Sequence, residues 1–265
     1  MAMRILLPAT TLWWRELVRF LRQGSRVMAA LGTPLLFWFF LGSGIGASFH
    51  PASAPADMNY LKYFYPGTLI LIILFTSVFS AISLIEDRKE GFLLSVLVAP
   101  VSRWGPVLGK ILGGATLALL QGLVLLALAP FIGISLGIGK VVELAAILFV
   151  NAFALTSLGF ALAWQMDSTQ GFHGVMNLIL FPMWLLSGAL FPPSGASGWM
   201  RWMMLANPLT YGFSALHHVL YGDRGAAQAG LPSFITSVAV IVVFALVLFF
   251  LAAMMARRRT VRGLG

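Results

Sequence analysis

Four stretches of this chain carry residue types and spacings that could do chemistry. Residues 86–90 read Glu-Asp-Arg-Lys-Glu, an unbroken charged run able to make salt bridges or to bind a charged partner. The run "GPVLGKI" at 105–111 sets glycines before a lysine, as a phosphate-binding loop does. "GSGIGA" at 42–47 echoes a dinucleotide fingerprint, and His217, His218 and Asp223 are potential metal ligands. Three of the four fail on their chemistry. A phosphate loop needs a different glycine spacing and a Ser or Thr after its lysine to hold magnesium, whereas Ile111 follows Lys110. A dinucleotide turn needs a preceding strand, but Gly42–Ala47 lies in a long apolar run, where glycines serve close helix packing. Adjacent histidines on a helix point in different directions and no third ligand accompanies them, so hydrogen bonding is their better use. With no cysteine in the chain, disulfides, thiolate metal sites and thiol catalysis are excluded. The charged run at 86–90 is left to be explained.

The elements around that run are almost entirely apolar. Of the 265 residues, 60% are hydrophobic and 9% charged, against about 25% charged in an ordinary soluble domain. Six intervals free of, or nearly free of, charge each exceed the ~20 residues of a membrane-crossing helix. They predict an all-helical integral membrane protein with spans at about 27–49, 63–85, 107–132, 141–165, 172–191 and 234–256. Residues 1–26 form the one separate region expected, an amphipathic helix on the membrane surface, because Arg15, Arg19, Arg22 and Arg26 share a face opposite Trp13, Leu17 and Phe20. Residues 27–265 form the six-span domain. Within it, about 192–232 carries two apolar stretches broken at Asn207-Pro208, each too short to cross, which predicts an outer helical hairpin dipping into the bilayer.

Charge placement orients the chain. Only Lys62, Lys140, Arg201 and Arg224 of its 17 basic residues fall on the outer side if both termini are cytoplasmic. That asymmetry is the positive-inside pattern, so the basic balance marks orientation and contact with membrane lipid, not nucleic acid. Burying Glu86 to Glu90 at mid-membrane would cost roughly 15 kcal/mol at ~3 kcal/mol each. They therefore belong in the cytoplasm. The decapeptide "GFLLSVLVAP" that follows is too short to span and ends at Pro100 before Arg103. A short helix held against the cytoplasmic side results, about 86–103.

The order Glu-Asp-Arg-Lys-Glu-Gly, an aliphatic run, Ala-Pro-Val-Ser-Arg-Trp and then Gly-Lys resembles the permeases of the type-two ABC exporter family. "FPMWLLSGALFP" at 181–192 and "NPLTYGFSALHHVLYG" at 207–222 are similar to that family's signatures in the fifth span and outer hairpin. The resemblance, nearest to drug and lipid-linked-oligosaccharide exporters, implies that the segment 86–103 is the coupling helix that docks on a separate ATPase. Glu86, Asp87, Arg88 and Glu90 would then make polar contacts to that motor and adjust the base of the second span. Gly91 would permit the turn, Phe92, Leu93, Leu94 and Leu97 would fill the motor's groove, and Arg103 would close the segment. It further implies a homodimer with two ATPase copies, ATP and magnesium held on the ATPase and no cofactor on this chain. A path between the second and fifth spans would be lined by Phe75, Thr76, Phe79, Asn177, Phe181 and Met183, unless these only pack the spans. The cargo would be an amphipathic drug, lipid or lipid-linked glycan, moved outward across a cell membrane, with the bacterial inner membrane as the expected site.

Two other classes predict different residues. An ion-driven secondary carrier would place ionisable groups near mid-membrane, whereas Lys110, Glu143, Asp167 and His173 fall near predicted span ends. A membrane-embedded enzyme would need convergent catalytic groups on the spans, and no acid pair or nucleophile-base pair stands there.

Overall fold

The computed structural model describes residues 3–45, 60–98 and 102–258. Ten α-helices occur among them: α1 (Met3–Arg22), α2 (Gly24–Ile45), α3 (Tyr60–Lys89), α4 (Phe92–Val98), α5 (Trp104–Leu126), α6 (Ile138–Gln165), α7 (Thr169–Trp184), α8 (Gly198–Ala206), α9 (Pro208–Gln228) and α10 (Phe234–Arg258). No strand occurs among the described residues. Six of these helices, α2, α3, α5, α6, α7 and α10, are long and apolar enough to cross a membrane. They agree with the expected spans to within a few residues. The expected loop at 50–59, Ala99 to Val101 and the basic tail from Arg259 lie outside the described residues, as do the side chains of Leu94, Leu97 and Arg26.

Helix α3 is the axis of the bundle. In its apolar window 89% of residues are buried, against 17% for α2 and 28% for α10, so the latter two stand at the periphery. Lipid tails are as apolar as Leu, so helices in a bilayer are held by close packing and internal hydrogen bonds. Both devices are present. A Cβ on Gly67 of α3 would lie 2.5 Å from the Ala189 Cβ, and one on Gly42 of α2 would meet the Leu61 side chain, which is the packing use expected of "GSGIGA". Trp184 Nε1 donates to the Gly67 carbonyl at 3.0 Å, Tyr65 Oη to the Leu125 carbonyl at 2.9 Å and Tyr63 Oη to the Gly188 carbonyl at 2.7 Å. These hydroxyl and indole groups tie α3 to the end of α5 and to the end of α7 and the turn after it. Apolar side chains such as Phe39 and Phe40 on α2 and Val243 and Leu246 on α10 are exposed, as a surface solvated by lipid requires.

The hairpin break falls where the sequence places it. Asn207 separates α8 from α9, its Oδ1 accepting from the Leu209 N–H at 3.1 Å and its Nδ2 donating to the Met183 carbonyl at 2.5 Å. The amide thus caps α9 and pins the hairpin to α7. Helix α7 ends in a π-type turn, Leu185–Ala189.

Candidate functional site

The charged run is divided between two elements. Glu86 to Lys89 are the last turn of α3, and the Glu90 N–H still donates to the Glu86 carbonyl at 2.9 Å. The chain then turns at Gly91, with φ of 76°, into the seven-residue α4. No atom would obstruct a Cβ at Gly91, so glycine is there for its left-handed backbone and not for space. The short helix expected over 86–103 is therefore α4 alone, and the charges belong to the base of the span helix.

Helix α1 supplies the countercharges. Gly109 of α5 lets α1 approach so closely that a Cβ there would be 2.4 Å from the Ala9 carbonyl oxygen, and Gly113 does the same beside Glu16. With Gly105 these glycines recur every four residues along one face of α5, the small-residue spacing of tightly packed helices. The contact aims Arg15 and Arg19 at the base of α3. Asp87, fully buried, accepts two hydrogen bonds from Arg15 at 2.7 and 3.0 Å and one from Arg19 at 2.6 Å. Lys110 Nζ of α5 lies 2.6 Å from the same carboxylate, 2.7 Å from Glu16 and 3.2 Å from Ser83 Oγ. Ser83 also donates to Glu16 at 2.7 Å. Arg19 reaches on to Glu86 at 2.8 Å and Glu90 at 3.6 Å. Three cations, Arg15, Arg19 and Lys110, and four acids, Glu16, Glu86, Asp87 and at its margin Glu90, thus form one network joining α1, α3 and α5. The bonds to Asp87 hold the Arg15 pKa above its ordinary value.

The remaining charges tie the joint to other helices. Arg88 donates to the Trp164 carbonyl at 2.7 Å and the Met166 carbonyl at 3.0 Å, capping the end of α6, and pairs with Asp167 at 3.3 Å. Arg103 donates to the Arg257 carbonyl at 3.1 Å at the end of α10. The Arg15 guanidinium lies 3.8 Å from the centre of the Phe92 ring, a cation–π contact that seats the start of α4. Leu93 is buried and lines a small apolar cavity with Leu12, Leu84 and Trp164.

The structure departs from the sequence reading at particular residues here. Asp87 and Leu93 face inward, so neither is available to a partner's surface, while Lys89, Glu90, Ser95 and Val98 face outward. The sequence reading puts Arg15 and Arg19 on the basic face of a membrane-surface helix and Lys110 near a span end, and it gives Glu16 no role. Their signal was an acid within a run of arginines and a lysine inside an apolar helix, both of which need a partner of opposite sign. The exposed side of α1 carries Leu7, Trp14 and Leu21 at seven-residue intervals, with Thr10, Thr11 and Arg22 exposed beside them.

The expected path residues divide in the same way. Phe75 and Phe79 follow each other along α3 with tilted rings 6.1 Å apart between centres, and Phe79 meets His173 of α7 at 6.1 Å. His173, Asn177 and Phe181 recur every four residues on the exposed flank of α7. Thr76 departs from the expectation: it is fully buried, with its hydroxyl between the Ile72 carbonyl and the Gln121 amide of α5. Met183 is half-buried, and its carbonyl carries the hairpin amide of Asn207. Among the described residues no group of three or more His, Asp or Glu could hold a metal ion.

The ABC-2 type transporter family matches residues 9–221, which takes in α1, the ionic joint, α4 and most of α9. A daunorubicin resistance ABC transporter permease protein of Streptomyces coeruleorubidus is 24% identical over 224 residues, 82% of this chain and 76% of its own. Nodulation protein J of Rhizobium meliloti (strain 1021) is 24% identical over 237 residues, 89% of this chain and 87% of its own. Nodulation protein J of Rhizobium leguminosarum bv. trifolii is 22% identical over 253 residues, covering 94% and 93%.

Proposed function

The chain belongs to the ABC-2 type transporter family, and from that premise we propose that it is the membrane-spanning half of an ATP-driven exporter. ATP and magnesium are held on a separate ATPase chain, two copies of which serve a homodimer of this permease. The cargo is an amphipathic drug, lipid or lipid-linked glycan, carried outward across a bacterial inner membrane with both termini of the permease cytoplasmic. A similar protein bears the name of a daunorubicin resistance ABC transporter permease, which supports an export reading and the drug end of this range.

One observation carries the mechanism: α4 hangs from a left-handed glycine directly beneath a buried ionic joint of three helices. In this reading α4 is the coupling helix. Glu90, Lys89, Ser95 and Val98 offer the surface that meets the ATPase, and ATP-driven closure of the motor pushes on α4. Asp87, held by Arg15, Arg19 and Lys110, passes the push to α1, α3 and α5 together. Arg88 and Arg103 pass it to the ends of α6 and α10. The flank made by Phe75, Phe79, Asn177 and Phe181 faces the second protomer and lines the path, where aromatic surfaces hold apolar cargo. The hairpin α8–α9 sits in the outer leaflet, and the exposed side of α1 rests on the inner membrane surface.

Co-purification from native membranes in mild detergent tests this. An ATPase chain should accompany the intact permease and be lost from a Glu90→Arg, Val98→Glu double variant, whose sites are both exposed and should leave folding intact. Absence of any ATPase beside the intact chain, even after gentle crosslinking, would count against a motor-driven exporter and favour an ion-driven carrier.

A further inference from the structure

At the opposite end of α3 from the ionic joint, roughly 38 Å away if Lys62 and Asp87 are separated by a straight helix, a single imidazole joins α9 to α10. His218 Nδ1 lies 2.8 Å from Asp223 Oδ1, and its Nε2 lies 2.9 Å from the Pro232 carbonyl oxygen just before α10. The Ser214 hydroxyl donates to that same carbonyl at 2.9 Å. A carbonyl oxygen cannot donate, nor can an ionised carboxylate. Neutral imidazole has one N–H and one bare nitrogen, so either tautomer turns a lone pair toward an acceptor. The imidazolium, with two N–H groups, satisfies both.

The backbone is built to bring the pair together. Residues five apart on a regular helix point about 140° apart and do not meet. Helix α9 is broken at Gly222, with φ of 78° and ψ of 173°, and the break returns Asp223 over the preceding turn to His218. A Cβ at Gly222 would meet no atom within 4 Å, so the glycine serves the backbone reversal that the contact needs. The His218 side chain is 7% exposed and that of Asp223 90% exposed, so the proton can exchange with water from the carboxylate side.

These residues border a cleft of about 650 Å³ between α6, α9 and α10, lined also by Glu143, Ser233 and Phe234. The charged and titratable groups around His218 are Asp223 and Arg224 on α9, buried His217 beside it, Glu143 and, one turn earlier, Lys140 on α6, and Lys62 on α3, whose carbonyl takes the Tyr221 hydroxyl. From α10 the Phe234 ring meets the imidazole at 6.0 Å, and Ser233 and Thr236 add only hydroxyls.

The geometry points to a proton-sensitive clasp: protonated His218 fastens the outer hairpin to the entry of α10, and loss of its proton releases the two and widens the cleft. The clasp lies outside the ATPase-coupling joint, and its test does not depend on the transport reading.

The test uses the full chain in lipid nanodiscs, with ring-15N histidine NMR from pH 5 to 8 and the His218 signal assigned by its loss in His218→Gln. Because the chain has no cysteine, spin labels at Val142→Cys on α6 and Gln228→Cys on α9 report the cleft width in parallel. Both ring nitrogens of His218 should carry protons at pH 5.5, and one should be lost by pH 8 as the label distance distribution shifts outward. His218→Gln should show the wide distribution at every pH. A ring neutral at pH 5.5, or label distances unchanged between pH 5.5 and 8, would overturn the proposal.

Discussion

Asp87 accepts four short contacts from three cations, so removing its charge should be felt through all three helices that meet there. Replacing it by Asn keeps the shape and leaves Arg15, Arg19 and Lys110 facing Glu16, Glu86 and the exposed Glu90. Breaking a buried pair by removing one partner costs ~3–5 kcal/mol. The side chains of Arg15 and Arg19 are 29% and 18% exposed and can turn toward water, whereas that of Lys110 is 7% exposed and retains Glu16. These two escapes bring the expected cost of Asp87→Asn to about 2–4 kcal/mol. The scaling of soluble domains translates that into a fall in melting temperature of roughly 5–15 °C.

Coupling between the partners is the sharper readout. Lys110→Met alone takes one of three cations from Asp87 and leaves Glu16 with Ser83 and Arg15, but together with Asp87→Asn it removes the most deeply buried cation and acid at once. The double variant should therefore be less destabilised than the two single losses added together, with a coupling energy above ~1 kcal/mol. Unfolding of the detergent-solubilised chain in sodium dodecyl sulfate, followed by tryptophan fluorescence, gives the cycle. Glu143→Gln, an exposed acid at the far end of the bundle, serves as the control and should stay within ~0.5 kcal/mol of the parent. If the losses from Asp87→Asn and Lys110→Met simply add, the network is not one unit and the idea of a joint moving as a body fails.

Other expectations follow from single contacts. Gly91→Ala forces a side chain into a left-handed backbone at a cost of ~1–2 kcal/mol, and ATPase stimulation by cargo should fall while the spans remain folded. Gly109→Val drives a side chain into the Ala9 carbonyl, so limited proteolysis should cut the loosened α1 faster than in the parent, and an unchanged cleavage rate would contradict the close packing. A lone cysteine at Asn177 on the exposed flank of α7 should form a disulfide-linked dimer in membranes under mild oxidation, and a chain that stays monomeric would argue against that flank as the meeting surface. Burial lowers the pKa of His217 to about 3, with the neighbouring His218 adding to the effect. Its unfolded counterpart takes up a proton below about pH 6.5, so folding stability should decline as pH falls from 6.5 toward 3, by up to ~1.4 kcal/mol per unit. His217→Phe should flatten that decline in an acid unfolding series.

Long features were legible in the sequence and paired ones were not. The spans are readable because ~20 uncharged residues have one inexpensive fate in a bilayer, and the hairpin break because Asn207 is a favoured helix cap and Pro208 a favoured first-turn residue. Cost alone argues against mid-membrane for the charges of 86–90, and the structure puts them in the last turn of α3 and the turn that follows. Which way each pointed depended on a helix 70 residues earlier in the chain. Periodicity showed that Arg15 and Arg19 share a face, but an arginine stripe satisfies lipid phosphate and buried carboxylate equally well. The close approach at Gly109 and Gly113 decides between them, and a glycine in an apolar run does not say what it will touch. Likewise Thr76 and Phe75 are neighbours of similar promise, and only the position of Gln121 on α5 turns the threonine away from the flank.

The buried lysine also constrains how the protein is made. Lys110 sits within the third membrane helix, and the acids that neutralise it, Glu16 and Asp87, come from segments synthesised before it. A chain inserted in order of synthesis would therefore meet its most expensive charge only when both neutralising groups were already waiting at that depth. Helix α1 would act on this account as an internal chaperone for α5, and its removal should send the nascent chain to membrane quality control even though all six apolar spans remain.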